Sequence, residues 1–288
     1  MNGSPLDLRR LEVIAVSPFV TVERATLGGA DVLVKRANTR QGQEALERFE
    51  REGDIAERLD HPNIARLLVR APGVLVYEFV RAPTLEQELR GGAFQTNRAI
   101  AFARGLLSAL AHAHGRGVIH LDLKPSNILL ELPPSLDRRA NPDGLAVIPA
   151  SERRDAVHRD RRDEHRGERV KLIDFGSAKD LTLEAITQLD ARLGTPNYMA
   201  PEQFSGTRSD PRSDVYSLGA VLYEALQGHP PSDDAFAWLT GRGRLKDQWP
   251  SDPGLARILR IALSWDPDER FPDALAMLES LEALGYPG

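Results

Sequence analysis

The sequence predicts a bilobal α+β fold, in which a small antiparallel sheet with one long helix precedes a larger, mainly helical lobe. The first eighty residues hold five short runs rich in β-branched and apolar residues, and one segment among them has helical spacing. From Thr84 onward the apolar residues recur at helical spacing. A chain of 288 residues is long enough to give each lobe a core. We therefore place the two lobes at residues 1–80 and 81–288.

The strands of the small lobe are marked by runs that end at turn residues. Gly28 and Gly29 supply one turn, and Ala71, Pro72 and Gly73 join two further runs as a hairpin. Between these runs, apolar side chains recur close to one helical face, which predicts the long helix. The predicted strands are 11–16, 19–27, 31–36, 64–69 and 74–80, and the predicted helix is 43–59.

The second part of the chain carries the helical periodicity of the larger lobe. The segments that fit it best are 84–90, 97–115, 212–227, 255–265 and 272–284. A small sheet-rich lobe therefore precedes a larger helical lobe.

Residues 131–169 fit neither lobe. This segment is rich in charges of both signs and poor in residues that form cores, which predicts a long and mostly disordered insertion. The short run "LAVIP" at 145–149 is a candidate for a docked piece within it. We regard the insertion as a candidate binding segment for a regulator.

Composition and charge exclude several classes of protein. A formal net charge of −5 gives no sign of a nucleic-acid-binding surface. The residues "MNGSPLDLRR" have no apolar run behind their charges, and no apolar run approaches the length of a bilayer. The chain contains no cysteine, which excludes disulfides and thiolate metal sites and fits a reducing compartment. We expect a cytoplasmic protein with neither a nucleic-acid partner nor a membrane partner.

The stretch "HLDLKPSN" at 120–127 gathers an acid, a cation and an amide on one loop. Pro125 excludes the interior of a helix. Asp122, Lys124 and Asn127 could act on a phosphate as a base, a charge for the migrating group and a metal ligand. The alternative is a solvated turn, because Asp, Asn, Ser and Pro are ordinary turn residues.

Three further segments give this loop a context. In order along the chain they are "VKLIDFGSAK" at 170–179, "LGTPNYMAPEQ" at 193–203 and "SDVYSLGAVLYEAL" at 213–226. Together with "HLDLKPSN" they resemble the eukaryotic-type, or Hanks-type, Ser/Thr protein kinases, including those of bacteria. The resemblance covers nearly the whole chain apart from the insertion and the first ten residues.

The resemblance implies a protein-kinase-like fold, with a catalytic loop at 120–127 and an activation segment at 174–202. It implies ATP and Mg²⁺ as cofactors and a protein hydroxyl as the acceptor. Asp122 would accept the proton of this hydroxyl, and Lys124 would stabilise the migrating phosphoryl group. Asn127 and Asp174 would supply the oxygen ligands that Mg²⁺ prefers.

The resemblance also assigns residues to the nucleotide. Lys35 would hold the α- and β-phosphates, and Glu52 would orient it through an ion pair. Tyr77 falls at the gatekeeper position, and the backbones of Glu78 and Val80 would bind adenine. The residues that would sandwich the adenine ring are Val22, Leu33 and Leu129.

Three residues match structural positions of the same family. Glu202 and Arg270 would form a buried ion pair that braces the helical lobe. Asp214 would hold the backbone of the catalytic loop.

The sequence departs from the family pattern at four places. The loop 15–22 is poor in glycine, with Ala15, Ser17 and Val20 at the glycine positions, and glycine there lets the backbone approach phosphates. Leu33 replaces a small residue at the adenine pocket, and the insertion separates the two predicted metal ligands. Leu121 replaces the arginine that pairs with an activation-loop phosphate in this family.

These departures leave two alternatives to an active Ser/Thr protein kinase. The first is a pseudokinase that acts as a nucleotide-binding or scaffolding module, which the missing glycines favour. The second is a small-molecule kinase of the aminoglycoside-phosphotransferase type. The runs "GTP" at 194–196 and "APE" at 200–202 favour a platform for peptide substrates over this second alternative.

Overall fold

The computed structural model describes residues 6–38, 43–131, 167–175, 196–206 and 210–287. Most of the predicted insertion, including "LAVIP", and the part of the activation segment from 176 to 195 lie outside the described residues. The predictions made for those stretches therefore stay predictions.

The small lobe is built on one antiparallel sheet of five strands. Its spatial order is β1-β2-β3-β5-β4, so β1 and β4 form the two edges. Its long helix, α1, follows β3 in the chain. The elements are β1 (Leu8–Val16), β2 (Val20–Leu27), β3 (Ala30–Ala37), α1 (Gln43–Ala56), β4 (Leu67–Ala71) and β5 (Val74–Glu78).

The two faces of this sheet bury different side chains, because successive residues of a strand point to opposite sides. Val32 and Val34 of β3 pack on one face together with Val76. Leu33 packs on the other face, in a cluster that includes Phe49 of α1 and Tyr77. The alternation places Lys35 on the side of α1, where an acidic residue of that helix can reach it.

The longest helix described in the large lobe, Thr96–His114, packs against the helices Arg212–Gln227 and Ala274–Glu282. The largest buried side chains of this lobe include Tyr216 and Tyr223. Short 3₁₀ turns cover Pro125–Asn127, Pro196–Tyr198 and Pro267–Glu269. The helices described are α2 (Leu85–Leu89), α3 (Thr96–His114), α4 (Pro201–Phe204), α5 (Arg212–Gln227), α6 (Ala235–Leu239), α7 (Pro253–Ala262) and α8 (Ala274–Glu282).

A small two-stranded sheet connects the lobes at the predicted site. It consists of β6 (Ile128–Glu131) and β7 (Arg169–Leu172), which pair as an antiparallel ladder. Leu172 also forms a parallel bridge with Ile64 of the small lobe. Glu131 lies opposite Arg169, so the two ends of the insertion meet across this ladder. A long insertion can leave its ends close together in this way because the entropy of loop closure grows slowly with loop length.

The predicted elements are present, with differences at their ends. The helix predicted at 43–59 ends at Ala56, and the strand predicted at 64–69 begins at Leu67. Strand β6 and the short helices α4 and α6 were not predicted, because runs of four or five residues show too few repeats for a periodic pattern. None of the described helices is long and apolar enough to cross a membrane.

Candidate active site

In the predicted catalytic loop, the side chains of Lys124 and Asn127 both contact Asp122. Lys124 Nζ lies 3.0 Å from Asp122 Oδ1 and 2.9 Å from Oδ2. Asn127 Nδ2 donates to the Asp122 carbonyl at 2.8 Å and to Asp122 Oδ2 at 3.2 Å. Asn127 is buried, whereas Asp122 is partly exposed. The carboxylate of Asp122 is therefore held by two side chains while it stays partly exposed to solvent.

Asp214 fixes the backbone that carries this loop. This residue is fully buried on α5, and its Oδ2 and Oδ1 accept hydrogen bonds from the N–H groups of His120 and Leu121, both at 2.8 Å. His114 Nε2 lies 3.0 Å from the same Oδ2. The geometry is the one that we expected for Asp214.

Leu121, which replaces the arginine of the family pattern, also has an uncommon backbone conformation. Its φ is 61°, in the left-handed region that residues other than glycine seldom adopt. Asp214 holds its N–H, and the side chain of Gln203 donates to its carbonyl at 2.8 Å. Gln203 did not appear in the sequence-based site, because its contact lies far away along the chain.

Lys35, Glu52 and Asp174 form a charged triplet between the lobes. Lys35 Nζ lies 2.5 Å from Glu52 Oε1 and 2.8 Å from Asp174 Oδ1. The Lys35 and Glu52 side chains are nearly buried, and that of Asp174 is about one-third exposed. The predicted ion pair between Lys35 and Glu52 is present in the structure. The ion pair of Lys35 with Asp174 joins the small lobe to the first residue of the predicted activation segment.

The charges of this triplet stabilise one another. Burial disfavours a charge on Lys35, but the carboxylates of Asp174 and Glu52 outweigh it and raise the pKa of Lys35 above its ordinary value. Burial and the negative charge of Glu52 likewise raise the pKa of Tyr77, whose hydroxyl donates to Glu52 Oε1 at 3.3 Å. Lys35 is therefore a cation and Tyr77 a neutral phenol throughout the neutral range.

The two predicted metal ligands fit a hard cation in their chemistry. Asp174 has a φ of 66°, and the backbone N–H of Ile173 beside it donates to the Asn127 carbonyl at 3.0 Å. A carboxylate and a side-chain amide oxygen are the donors that Mg²⁺ prefers. Because Asn127 Nδ2 points to Asp122, its amide oxygen is not used by these hydrogen bonds.

The predicted adenine pocket draws on both lobes. Val22 lies opposite Lys35 in the β2–β3 ladder, Leu33 lies opposite Tyr77 in the β3–β5 ladder, and Leu129 is on β6. All three are partly exposed.

Some backbone groups at the end of β5 and directly after it form hydrogen bonds within the protein. The Glu78 N–H donates to the Arg66 carbonyl, and the Val80 carbonyl accepts from the Ala82 N–H. Adenine contacts would therefore fall to the carbonyl of Glu78 and the N–H of Val80.

The glycine-poor loop is closed by one of its own side chains. Ser17 Oγ accepts from the N–H of Val20 at 3.0 Å and from that of Phe19 at 3.3 Å, and it donates to the Val20 carbonyl at 3.0 Å. The Asn38 N–H donates to the Phe19 carbonyl at 2.7 Å. Val20 packs against the apolar cluster that includes Tyr77. The side chains that replace glycine therefore stabilise a loop whose amides are satisfied internally.

The predicted brace of the large lobe is present. Arg270 Nη1 and Nη2 donate to the two carboxylate oxygens of Glu202 at 2.8 and 2.9 Å, and the Arg270 side chain has no exposed surface. Ser213 adds a hydrogen bond to Glu202 at 2.6 Å. This arrangement supports the structural role that the sequence suggested for the pair.

Comparison with known proteins agrees with this geometry. The profile of the protein kinase domain matches residues 19–237. Serine/threonine-protein kinase pkn3 of Myxococcus xanthus is 34% identical over 262 residues, which cover 84% of this chain and 42% of pkn3. Serine/threonine-protein kinase PknJ of Mycobacterium tuberculosis is 32% identical over 255 residues, which cover 84% of this chain and 38% of PknJ.

A solved structure shares the fold. The PknI kinase domain of Mycobacterium tuberculosis aligns with a TM-score of 0.65 at 21% identity, covering 96% of this chain and 94% of that one. The chain belongs to the protein kinase family, and its bilobal fold is that of the family. It spans about two-fifths of the length of the curated relatives named above.

Proposed function

We propose that this chain is a Ser/Thr protein kinase, which transfers the γ-phosphoryl group of ATP to a protein hydroxyl. The observation that carries the proposal is the contact of Lys35 with both Glu52 and Asp174, together with the carboxylate of Asp122 that Lys124 and Asn127 hold. The named relatives are Ser/Thr protein kinases, which supports this reading over a pseudokinase or a small-molecule kinase.

The proposed reaction assigns one task to each polar side chain. Asp122 accepts the proton of the attacking substrate hydroxyl. The oxygen of that hydroxyl bonds to the γ-phosphorus, while the bond from the γ-phosphorus to the oxygen that leaves with ADP breaks. Lys124, which lies within 3.0 Å of Asp122, neutralises charge on the migrating group. Lys35 binds the α- and β-phosphates, and Glu52 keeps it in place.

Asn127 and Asp174 are the residues that would hold Mg²⁺. The ion, when bound, neutralises charge on the phosphates. Asn127 also ties this site to the base, because its amide N–H groups donate to Asp122. The adenine ring would lie between Val22 and Leu33 above and Leu129 below.

The proposed substrate, location and regulator rest on further features of the sequence. The run "GTP" at 194–196, followed by "APE", supports a protein substrate presented as an extended peptide. The lack of cysteine in 288 residues supports a location in the reducing cytoplasm. The charged insertion 131–169 is the segment that we propose for binding a regulator. The division into domains at residues 80 and 81 also stays a proposal, although β5 ends at Glu78.

The test is transfer of labelled γ-phosphate from ATP with Mg²⁺ to the chain itself or to a generic basic protein. The variants Asp122→Asn and Asp174→Asn should each abolish transfer, because they remove the base and a metal-binding carboxylate. Both are nearly isosteric, so circular dichroism and thermal melting should match those of the wild type. Equal background incorporation in the wild type and both variants would mean that the chain is a pseudokinase.

A further inference from the structure

Arg70 lies on the edge strand β4, and its guanidinium group contacts the C-terminal half of α1 and Glu57, the residue that follows it. Nη1 lies 2.7 Å from Asp54 Oδ1 and 2.9 Å from Glu57 Oε2, and Nη2 lies 3.0 Å from Glu50 Oε2. Nη2 also donates to the backbone carbonyl of Glu50 at 3.1 Å. Residues spaced by four and three positions share one face of a helix. A single arginine of the sheet therefore binds one face of the C-terminal half of α1 and the residue that follows its end.

Gly53 explains how the arginine can cross the helix so closely. A glycine inside a helix costs about 0.5–1 kcal/mol relative to alanine, so its place in the interior of α1 needs a reason. A Cβ atom at Gly53 would lie 2.8 Å from Arg70 Nε and 3.1 Å from a methyl carbon of Leu75. The glycine therefore provides the space that the guanidinium group occupies.

The face bound by Arg70 lies opposite the residue that contacts the site. Glu52 is two residues from both Glu50 and Asp54, and two residues turn an α-helix by about 200°. Any rotation of α1 that broke the contacts with Arg70 would also move Glu52 away from Lys35. Lys35 would then keep Asp174 as its carboxylate partner at 2.8 Å.

We propose that Arg70 and Gly53 form a latch, which fixes the rotation of α1 so that Glu52 reaches Lys35. The proposal rests on the function proposed above for the Lys35–Glu52 pair. Arg70 is a positioning residue, because it acts through α1 and not on nucleotide or substrate. All of the groups that it binds belong to the small lobe, so the latch is complete within that lobe.

The first test compares Arg70→Ala with Arg66→Ala by steady-state kinetics with varied ATP. Arg66 is a matched control, since its side chain is 65% exposed and its carboxylate partner, Asp60, is 3.8 Å away. We expect Arg70→Ala to lower kcat/KM for ATP about tenfold and Arg66→Ala to change it less than about twofold. Arg70→Lys should restore part of the loss, because an ammonium group cannot match the planar fork of arginine. Equal kinetics for Arg70→Ala and the wild type would overturn the latch.

Two further variants separate positioning from loss of fold. In a Glu52→Gln background, Arg70→Ala should cause less than about a twofold additional loss, because the two residues act on the same contact. If Arg70→Ala lowers kcat/KM as much in the Glu52→Gln background as in the wild type, the proposal is overturned. Gly53→Ala should reduce kcat/KM although alanine is the better helix former, and an unchanged or higher value would contradict the latch.

Hydrogen exchange distinguishes failure of the latch from failure of the proposed function. The amides of α1 should exchange faster in Arg70→Ala than in the wild type, and should be unchanged in Arg66→Ala. If the wild type transfers no phosphate, the kinase proposal fails while the exchange rates still test the latch. If the wild type is active and α1 exchanges equally in all three proteins, the latch alone fails.

Discussion

The side-chain amide of Gln203 donates a 2.8 Å hydrogen bond to the main-chain carbonyl of Leu121. Gln203 is buried on α4, and its Oε1 accepts from the Ala200 N–H at 3.0 Å. Leu121 is held in a left-handed conformation directly before Asp122. One amide group thus joins the "APE" segment to the residue beside the proposed base.

We predict that Gln203→Glu lowers kcat about tenfold with little change in the KM for ATP. The carboxylate can still accept from Ala200, but it has no N–H for the Leu121 carbonyl in this partly buried contact, and the loss of one such hydrogen bond costs about 0.5–1.5 kcal/mol. The nucleotide groups lie elsewhere, so ATP binding should be retained. Steady-state kinetics with a basic protein substrate measure both constants.

The control for this change is Gln248→Glu, at an exposed glutamine that contacts His229. We expect its kcat to match that of the wild type. A normal kcat for Gln203→Glu, in a protein with an unchanged melting temperature, would show that Leu121 keeps its conformation without this hydrogen bond.

A second prediction concerns Ser17, whose hydroxyl satisfies the N–H groups of Phe19 and Val20. Ser17→Gly frees these two amides for a phosphate and should lower the KM for ATP about twofold to tenfold, the range of one net hydrogen bond. The kcat should stay within about twofold, because Asp122 and Lys124 are untouched. Ser17→Ala frees the same amides without adding glycine flexibility, so it should give a smaller decrease. An increase in KM for both variants would mean that the serine turn organises the loop for nucleotide.

The sequence predicted the fold, and it named polar residues that the structure brings together, because these signals are local. Lys35, Glu52, Asp122 and Asp174 were named from the resemblance to the kinase family, which rests on short runs of neighbouring residues. In the structure these residues lie within direct contact of Lys35 or Lys124. Their functional roles stay predictions until they are measured.

The contacts that the sequence did not predict are long-range and depend on tertiary packing. Gln203 reaches Leu121 across 82 positions, and no periodic pattern connects the two. Arg70 on an edge strand is an ordinary exposed residue until the helix beside it is placed. Gly53 did carry a signal, because glycine is unfavourable within a helix, but its reason is visible only once Arg70 is seen against it.

A third prediction concerns the ion pair of Arg270 and Glu202. Arg270→Ala leaves the carboxylate of Glu202 about nine-tenths buried with Ser213 as its remaining side-chain donor. Loss of one partner of a buried pair costs about 3–5 kcal/mol, so the melting temperature should fall by about 6–20 °C. The control is Arg66→Ala, since the side chains of Arg66 and its partner Asp60 are 65% and 84% exposed and such a pair contributes about 1 kcal/mol or less. Similar melting temperatures for both variants would contradict a bracing role for Arg270.

The last prediction is that the insertion can be removed without loss of the fold. Glu131 and Arg169 lie opposite each other in the β6–β7 ladder, so a short Gly/Ser bridge can replace residues 135–166. The Arg98 contacts with Glu168 at 2.8 and 3.0 Å lie outside the deletion and should continue to anchor this end of β7. We expect a melting temperature within about 3 °C of the wild type, equivalent to about 1 kcal/mol, together with normal phosphate transfer. A variant in which 135–166 is replaced by Gly/Ser of equal length controls for strain at the bridge. If both variants melt much earlier than the wild type, the insertion packs on the core and our prediction of disorder is wrong.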